Sequence, residues 1–205
     1  MEEDQEEGPD KMDESHIDGD YVHSPTILND EIYCQDLDTD SFKYADHCVT
    51  RLIQTRNKRF LVVEGGKLKF MMRTKMQCRN EDSQFKICTY MNTEIPPATP
   101  PGMPAILMVS SNGREWIICT NEVEKSVYPK LQDQPLPKHI DGSRHEALFF
   151  LQSMKERKNW YRFESSRWPG WFLAFETEDG GTIKLILKKS DCDVIDRGFQ
   201  LVNCP

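Results

Sequence analysis

From residue 41 onward the chain reads as eleven short apolar runs separated by turn signals. They are CVTRLIQ (48–54), RFLVVE (59–64), KLKFMMR (67–73), FKICTYM (85–91), PAILMVS (104–110), EWIICT (115–120), ALFFLQ (147–152), NWYRFES (159–165), WFLAFE (171–176), TIKLILKK (182–189) and FQLVN (199–203). Runs of this length, rich in Phe, Ile, Val, Leu and Trp, predict strands of an all-β barrel or sandwich. Gly65-Gly66 and Asn112-Gly113 each sit between two runs and predict tight hairpins. Pro169-Gly170 fits the centre of a type II turn. In TIKLILKK, Ile183, Leu185 and Leu187 share one face and Lys184, Ile186 and Lys188 the other, which is a half-buried strand. WFLAFE is apolar on both faces, so it is expected to face a barrel inside and a neighbouring layer outside. ATPPGMP (98–104) and QDQPLPKHIDGS (132–143) read as exposed loops.

One segment conflicts with this pattern. In HEALFFLQSMKERKN, Ala147, Phe150, Leu151 and Met154 lie at helical spacing among good helix formers. Taken by itself, that stretch reads as a helix.

Charge divides the chain. Residues 1–40 hold fifteen Asp or Glu and a single lysine, a net of −14, whereas 41–205 carry +6. So acidic and apolar-poor a segment cannot bury enough surface to fold by itself, so 1–40 is expected to be disordered. It is either a solubilising tail or a removable piece. Its start, MEEDQEEGPDKMDES, has neither the basic nor the apolar region of a signal peptide, which places the chain first in the cytoplasm. No apolar run approaches the roughly 18 residues of a membrane span, so no membrane insertion is expected.

The seven cysteines are odd in number and form no CxxC pair, and several interrupt apolar runs. They are expected to be free, buried and chemically inert, with no structural zinc site. Catalysis finds no support. GxSxG, GxxxxGKS/T, HExxH and GxGxxG are all absent, and the five histidines fall in the tail or in expected loops. His47 beside Cys48 would point to the opposite face of a strand. The reading is a non-enzyme with no catalytic residues, no cofactor and no metal. Nor is nucleic acid an expected partner: the basic residues scatter through the turns instead of forming a stripe with aromatics. The densest basic spots are KERK (155–158) and the end of TIKLILKK. They are either solvated strand ends or a patch for an acidic receptor or a sulfated polysaccharide.

Residues FESSRWPGWFLAFETEDGGTIKLILKK (163–189) resemble the C-terminal third of the interleukin-1 cytokine family. Phe163 through Ser166, Trp171 through Ala174 and Lys184 through Lys189 fit its pattern, and LFFLQ (148–152) fits the strand before it. NKRFLVVEGGKLKF (57–70) is similar to an early hairpin of the family. LDTD followed by SF (37–42) falls where the family keeps its processing site. The match is specific at 147–189 and thin over the rest of 41–205.

The resemblance implies a β-trefoil: twelve strands as six hairpins, three closing a barrel and three capping it, with WFLAFE and TIKLILKK tenth and eleventh. ALFFLQ then becomes a strand, and one strand remains to be found in 121–146. It also implies a propeptide at 1–40 and a cytokine domain at 41–205, cut between Asp40 and Ser41 by a caspase-type protease. The product would be a monomer, released without a signal peptide, that binds heteromeric interleukin-1-receptor-like receptors built of immunoglobulin-like domains. Lys155, Arg157, Lys158, Lys188 and Lys189 are the candidate receptor contacts. The alternatives are a trefoil module for glycans or heparin, in which Trp168-Pro169-Gly170-Trp171 would be a sugar platform, a trefoil protease inhibitor, or a receptor antagonist of the same family.

Overall fold

The computed structural model describes residues 41–93, 102–142, 144–155, 157–178, 180–189 and 198–205. The expectations about the acidic segment 1–40 and about Asp40 itself lie outside these residues. Thirteen strands form among the described residues: β1 (Ser41–Gln54), β2 (Phe60–Glu64), β3 (Lys67–Met71), β4 (Phe85–Asn92), β5 (Met103–Ser111), β6 (Arg114–Thr120), β7 (Val127–Leu131), β8 (His139–Asp141), β9 (Leu148–Ser153), β10 (Trp160–Ser165), β11 (Trp171–Thr177), β12 (Ile183–Lys189) and β13 (Phe199–Asn203).

Antiparallel pairing closes a ring of six: β1 with β4, β4 with β5, β5 with β9, β9 with β10, β10 with β13, and β13 back to β1. The remaining long strands pair as three hairpins, β2–β3, β6–β7 and β11–β12. Six barrel strands and three two-stranded caps are the twelve strands of a β-trefoil. The thirteenth, β8, is a three-residue addition that pairs with the first residues of β1. WFLAFE and TIKLILKK are thus tenth and eleventh in trefoil order and become β11 and β12 here.

Two turns set the hairpin registers. Gly65-Gly66 and Asn112-Gly113 all have positive φ, the backbone of a two-residue turn whose twist matches the strands it joins.

Alternation along the wall strands fills two cores. Ile87, Leu107 and Phe149 point into the barrel with Phe85, Phe163, Leu173 and Phe199. Their neighbours Cys88, Ile106, Met108, Leu148 and Phe150 point outward and join Phe42, Tyr90, Cys119 and Ile140 in a second cluster. Strands β4, β5 and β9 are therefore buried on both faces, which is why their runs are continuously apolar. This resolves HEALFFLQ as a strand, since a two-sided strand has no empty face to distinguish it from a buried helix. TIKLILKK behaves as a half-buried strand, with Ile183, Leu185 and Leu187 inward. WFLAFE is buried on both faces: Leu173 joins the interior cluster with Trp171 and Phe175 packed against it, while Phe172 and Ala174 on the other face are also buried, the Phe172 ring lying 5.0 Å from the Arg162 guanidinium.

Three expectations are corrected. The first strand starts at Ser41 rather than 48, because its polar front half is held on one side by β8 and on the other by β4, across a bulge between Tyr44 and His47. QDQPLPKHIDGS is not all loop, since its His-Ile-Asp is β8. The cysteines are not all free, since Cys48 and Cys88 form a disulfide. They face each other directly across β1 and β4, with Cα atoms 4.1 Å apart, a proximity that 40 residues of separation conceals in sequence. Cys78 and Cys119 are free and buried as expected, and burial pushes the Cys119 thiol up to about 12.

Candidate functional site

The β9–β10 hairpin carries the most distinctive surface. Its turn is closed by backbone: Met154 N–H donates to Trp160 O (2.8 Å), Arg157 N–H to Met154 O (3.1 Å) and Trp160 N–H to Arg157 O (3.2 Å). Below that turn lies a cleft of about 600 Å³ lined by Leu151, Gln152, Met154, Lys155, Arg162 and the backbone of Gly102. Gly102 is required by close approach, because a Cβ there would lie 2.6 Å from Leu151 O. A second cleft, about 540 Å³, also includes Leu151 in its lining, with Arg51, Met103, Tyr161 and Leu201.

Arg162 is held by a relay. The Glu164 carboxylate is buried and accepts from the Gly170 N–H (2.7 Å) and from the Gln152 side-chain amide (2.6 Å). The Gln152 amide oxygen in turn accepts from Arg162 (3.3 Å), and the guanidinium lies 5.0 Å from the centre of the Phe172 ring. With both ends of the amide engaged, Gln152 has one orientation. Arg162 Nε is buried without a hydrogen-bond acceptor. Among the described residues, Arg162 has no carboxylate within ion-pair distance, and neither cleft is lined by Asp or Glu.

The candidate receptor contacts separate. Lys155 lines the cleft, whereas Arg157, in the same turn, lies over Trp160 at 5.3 Å, and Lys158 is exposed beyond it. Lys188 and Lys189 are exposed at the end of β12, opposite Phe172 and Trp171, and neither belongs to the cleft lining. Arg162, Gln152 and Arg51 were not singled out in the sequence. A signal for Arg162 existed: Arg162 and Glu164, opposite charges two apart on one face of an otherwise apolar strand, mark a polar device inside the wall.

Trp168-Pro169-Gly170-Trp171 is not a free sugar platform. Lys125 Nζ lies 4.8 Å from the Trp168 ring centre and 4.5 Å from that of Trp171, and Trp168 Nε1–H donates to Asn121 O (3.0 Å). The two rings pin the loop before β7. At the other candidate site, Ser41 opens β1 opposite Asp141, and Phe42 beside it is only 1% exposed in the outer cluster. Ser41, the first described residue, already belongs to β1.

A family model described as Interleukin-1 / 18 matches residues 76–199. Interleukin-18 of Mus musculus is 29% identical over 156 residues, 76% of each chain. Human interleukin-18 is 25% identical over 77% of each chain, and that of Gallus gallus 26% identical over 77% of this chain and 79% of its own. A solved Gallus interleukin-1 mutant superposes with a TM-score of 0.59 at 18% identity, over 79% of this chain and 99% of that one, which speaks to the fold alone. Matched over more than half its length and folded as a trefoil, the chain belongs to the interleukin-1/18 family of cytokines and within it is most like interleukin-18.

Proposed function

We propose that this cytokine is a precursor: an acidic segment, 1–40, is cut off after Asp40 by a caspase-type protease. The domain 41–205 then acts outside the cell as a monomer that binds immunoglobulin-like receptors of the interleukin-1-receptor type and triggers immune signalling. The observation that carries this reading is the similarity to interleukin-18 over about three quarters of the chain. The position of the cut supports it. Aspartate precedes the bond and a small residue follows, and all thirteen described strands lie after it. Cleavage there changes a net charge of −8 to +6. A cation-rich surface then meets an acidic receptor with a faster encounter, which salt screens over roughly 8 Å at 0.15 M. Lys155, Arg157, Lys158, Lys188 and Lys189 are the surface charges we assign to that encounter.

The test is to incubate the full chain with an inflammatory caspase, sequence the new N-terminus, and pass both forms over immobilised receptor ectodomains. A new terminus at Ser41 with receptor capture by the cut form is expected. An intact Asp40–Ser41 bond, or no capture by either form, defeats the reading.

A further inference from the structure

We propose that the Cys48–Cys88 disulfide is a thiol-exchange site: a small thiol of the glutathione class opens it from the Cys48 side, and its redox state decides whether the front of β1, residues 41–47, stays docked. The device works whether or not the chain is cut after Asp40.

The two sulfurs are not equivalent. Cys48 is exposed on β1, whereas Cys88, directly opposite on β4, is 1% exposed in the outer cluster. Exchange requires a thiolate to approach one sulfur of the pair while the other leaves, and access decides which is attacked. Solvent reaches Cys48, so the incoming thiolate bonds to its Sγ. The Cys48–Cys88 bond breaks, and its electron pair leaves with Cys88 Sγ, which takes up a proton. A second thiolate then attacks the small-molecule sulfur of the mixed disulfide, and Cys48 departs as the thiolate. Two small thiols have become one disulfide, and the disulfide of the protein has become two thiols. The buried product suits its surroundings. Cys119 already lies in the same cluster as a free thiol, and Met108 Sδ is 3.9 Å from Cys88 Sγ. In reverse, an oxidised small thiol adds to Cys48 first and Cys88 resolves it.

The position of the pair gives the exchange its consequence. Pairing of β1 with β4 is regular from His47, opposite Thr89, to Arg51, opposite Phe85. Ahead of that stretch the register shifts between Tyr44 and His47, and Asp46 there has a φ of 52°, uncommon outside glycine. Cys48 therefore sits just behind a bulge. The front beyond the bulge is held by three residues paired on each side, to β8 and to the end of β4. Phe42 is its buried anchor and Tyr44 a half-buried one, with Tyr44 N–H donating to Lys138 O (2.9 Å). The Tyr44 hydroxyl donates to Cys48 Sγ (3.1 Å), so one of these few holds ends on the exchangeable sulfur. The disulfide is a covalent stop at the hinge of a lightly held segment. Opening it lets the front peel away about the bulge, while the regular pairing behind it persists.

The test places the full chain in oxidised and reduced glutathione buffers and follows brief trypsin digestion by mass spectrometry. Lys43 lies in the front of β1, and Lys86 lies in the regular part of β4, paired on both sides. Cutting after Lys43 should be roughly ten- to a hundredfold faster in the reduced chain, because the opened population rises when a covalent tie is lost. Cutting after Lys86 should not change. Cys48→Ala with Cys88→Ala should be cut after Lys43 at the fast rate in both buffers. Cys88→Ser, which lacks the resolving sulfur, should trap glutathione on Cys48, whereas Cys48→Ser should not carry it on Cys88. Cys204→Ser should keep the response of the wild type. Far-ultraviolet circular dichroism shows which variants fold, and the reduced wild type makes the same comparison without any substitution.

A Lys43 cut that ignores the buffer, or glutathione trapped on Cys88 instead of Cys48, overturns the proposal. Equal acceleration after Lys43 and Lys86 overturns it as well, since the disulfide would then only add stability to the whole domain.

Discussion

The two faces of the barrel wall are filled from the same three strands and held by different chemistry. Inside, Phe85, Ile87, Leu107, Val109 and Phe149 of these strands pack with Phe163 of β10 in one apolar cluster. Outside, Cys88, Ile106, Met108, Leu148 and Phe150 are covered by a lid that runs from residue 121 to 147 and by the front of β1. That lid is tied down by polar links, and a disulfide fixes the wall strands β1 and β4 to each other. Glu146 takes hydrogen bonds from Lys130 (2.7 Å) and Tyr128 (3.2 Å), and its backbone oxygen accepts from the Thr120 N–H (2.9 Å) and hydroxyl (3.1 Å). Tyr90 donates to Pro137 O (2.9 Å), and Lys125 is clamped by two tryptophans. Regular strands cover an interior by alternation alone. An irregular lid has no alternation to rely on, so each crossing needs its own tie.

Breaking the interior should cost most. Phe149→Ala removes a fully buried ring from the barrel, and denaturant unfolding should show a loss of about 3–5 kcal/mol. A loss under 1 kcal/mol would mean that the interior relaxes as freely as the lid. Next comes the disulfide. Cys48→Ala with Cys88→Ala opens a loop of 40 residues and should cost about 2–4 kcal/mol, with the loss in wild type under dithiothreitol of similar size. Hydrogen exchange should rise first at the β1 front and β8 while β10–β12 stay protected. Smaller again is the clamp. Lys125→Ala should cost about 0.5–2 kcal/mol and loosen the loop before β7, whereas Lys125→Arg, which also stacks on indole, should restore most of it.

The same contrast explains what was legible in the sequence. All eleven runs are strands: run length and turn signals marked them, alternation showed only where one face is exposed, as in TIKLILKK, and the two-sided ALFFLQ read by itself as a helix. The lid did not announce itself. Pro129 within Val127–Leu131 argues against a strand, yet β7 pairs with β6 on one side only, where an edge strand tolerates proline. β8 is three residues long with only Ile140 buried, too short to show a period. The front of β1 hid because Lys43, Asp46 and His47 are exposed while only Phe42 and half-buried Tyr44 anchor it to the outer cluster. The cleft was half visible. Lys155 stood out in a basic cluster, but Arg162 faces Gln152 across a ladder, and sequence order does not show which polar residues share a face across two strands.

The smallest effect separates the two faces by pH. His145 lies at the edge of the lid, and burial holds its imidazole below the ordinary histidine value of about 6.5. Glu146 beside it works the other way, while the Arg167 and Lys130 charges add to the lowering. Its Nδ1 accepts the Ala147 N–H (3.2 Å), its backbone oxygen accepts the Leu148 N–H (3.3 Å), and its own N–H donates to the Ser166 hydroxyl (3.2 Å). A proton on Nδ1 would turn that acceptor against the Ala147 N–H. The unfolded chain takes up its proton near pH 6.5, and the folded chain does so only at lower pH. The unfolded state therefore binds more protons across the interval between, and stability falls as pH drops through it. The contribution is fully present above about pH 6.5 and is lost once pH has passed below the folded value. Hydrogen exchange at Ala147 and Leu148, converted to opening free energies at pH 7.5 and pH 5.5, should show easier opening at the lower pH. Ile87 and Leu107, whose side chains face the interior, should show no such change. His145→Gln should flatten the difference. Equal acid sensitivity of both sets would place the titrating group elsewhere and make the lid no more pH-dependent than the barrel it covers.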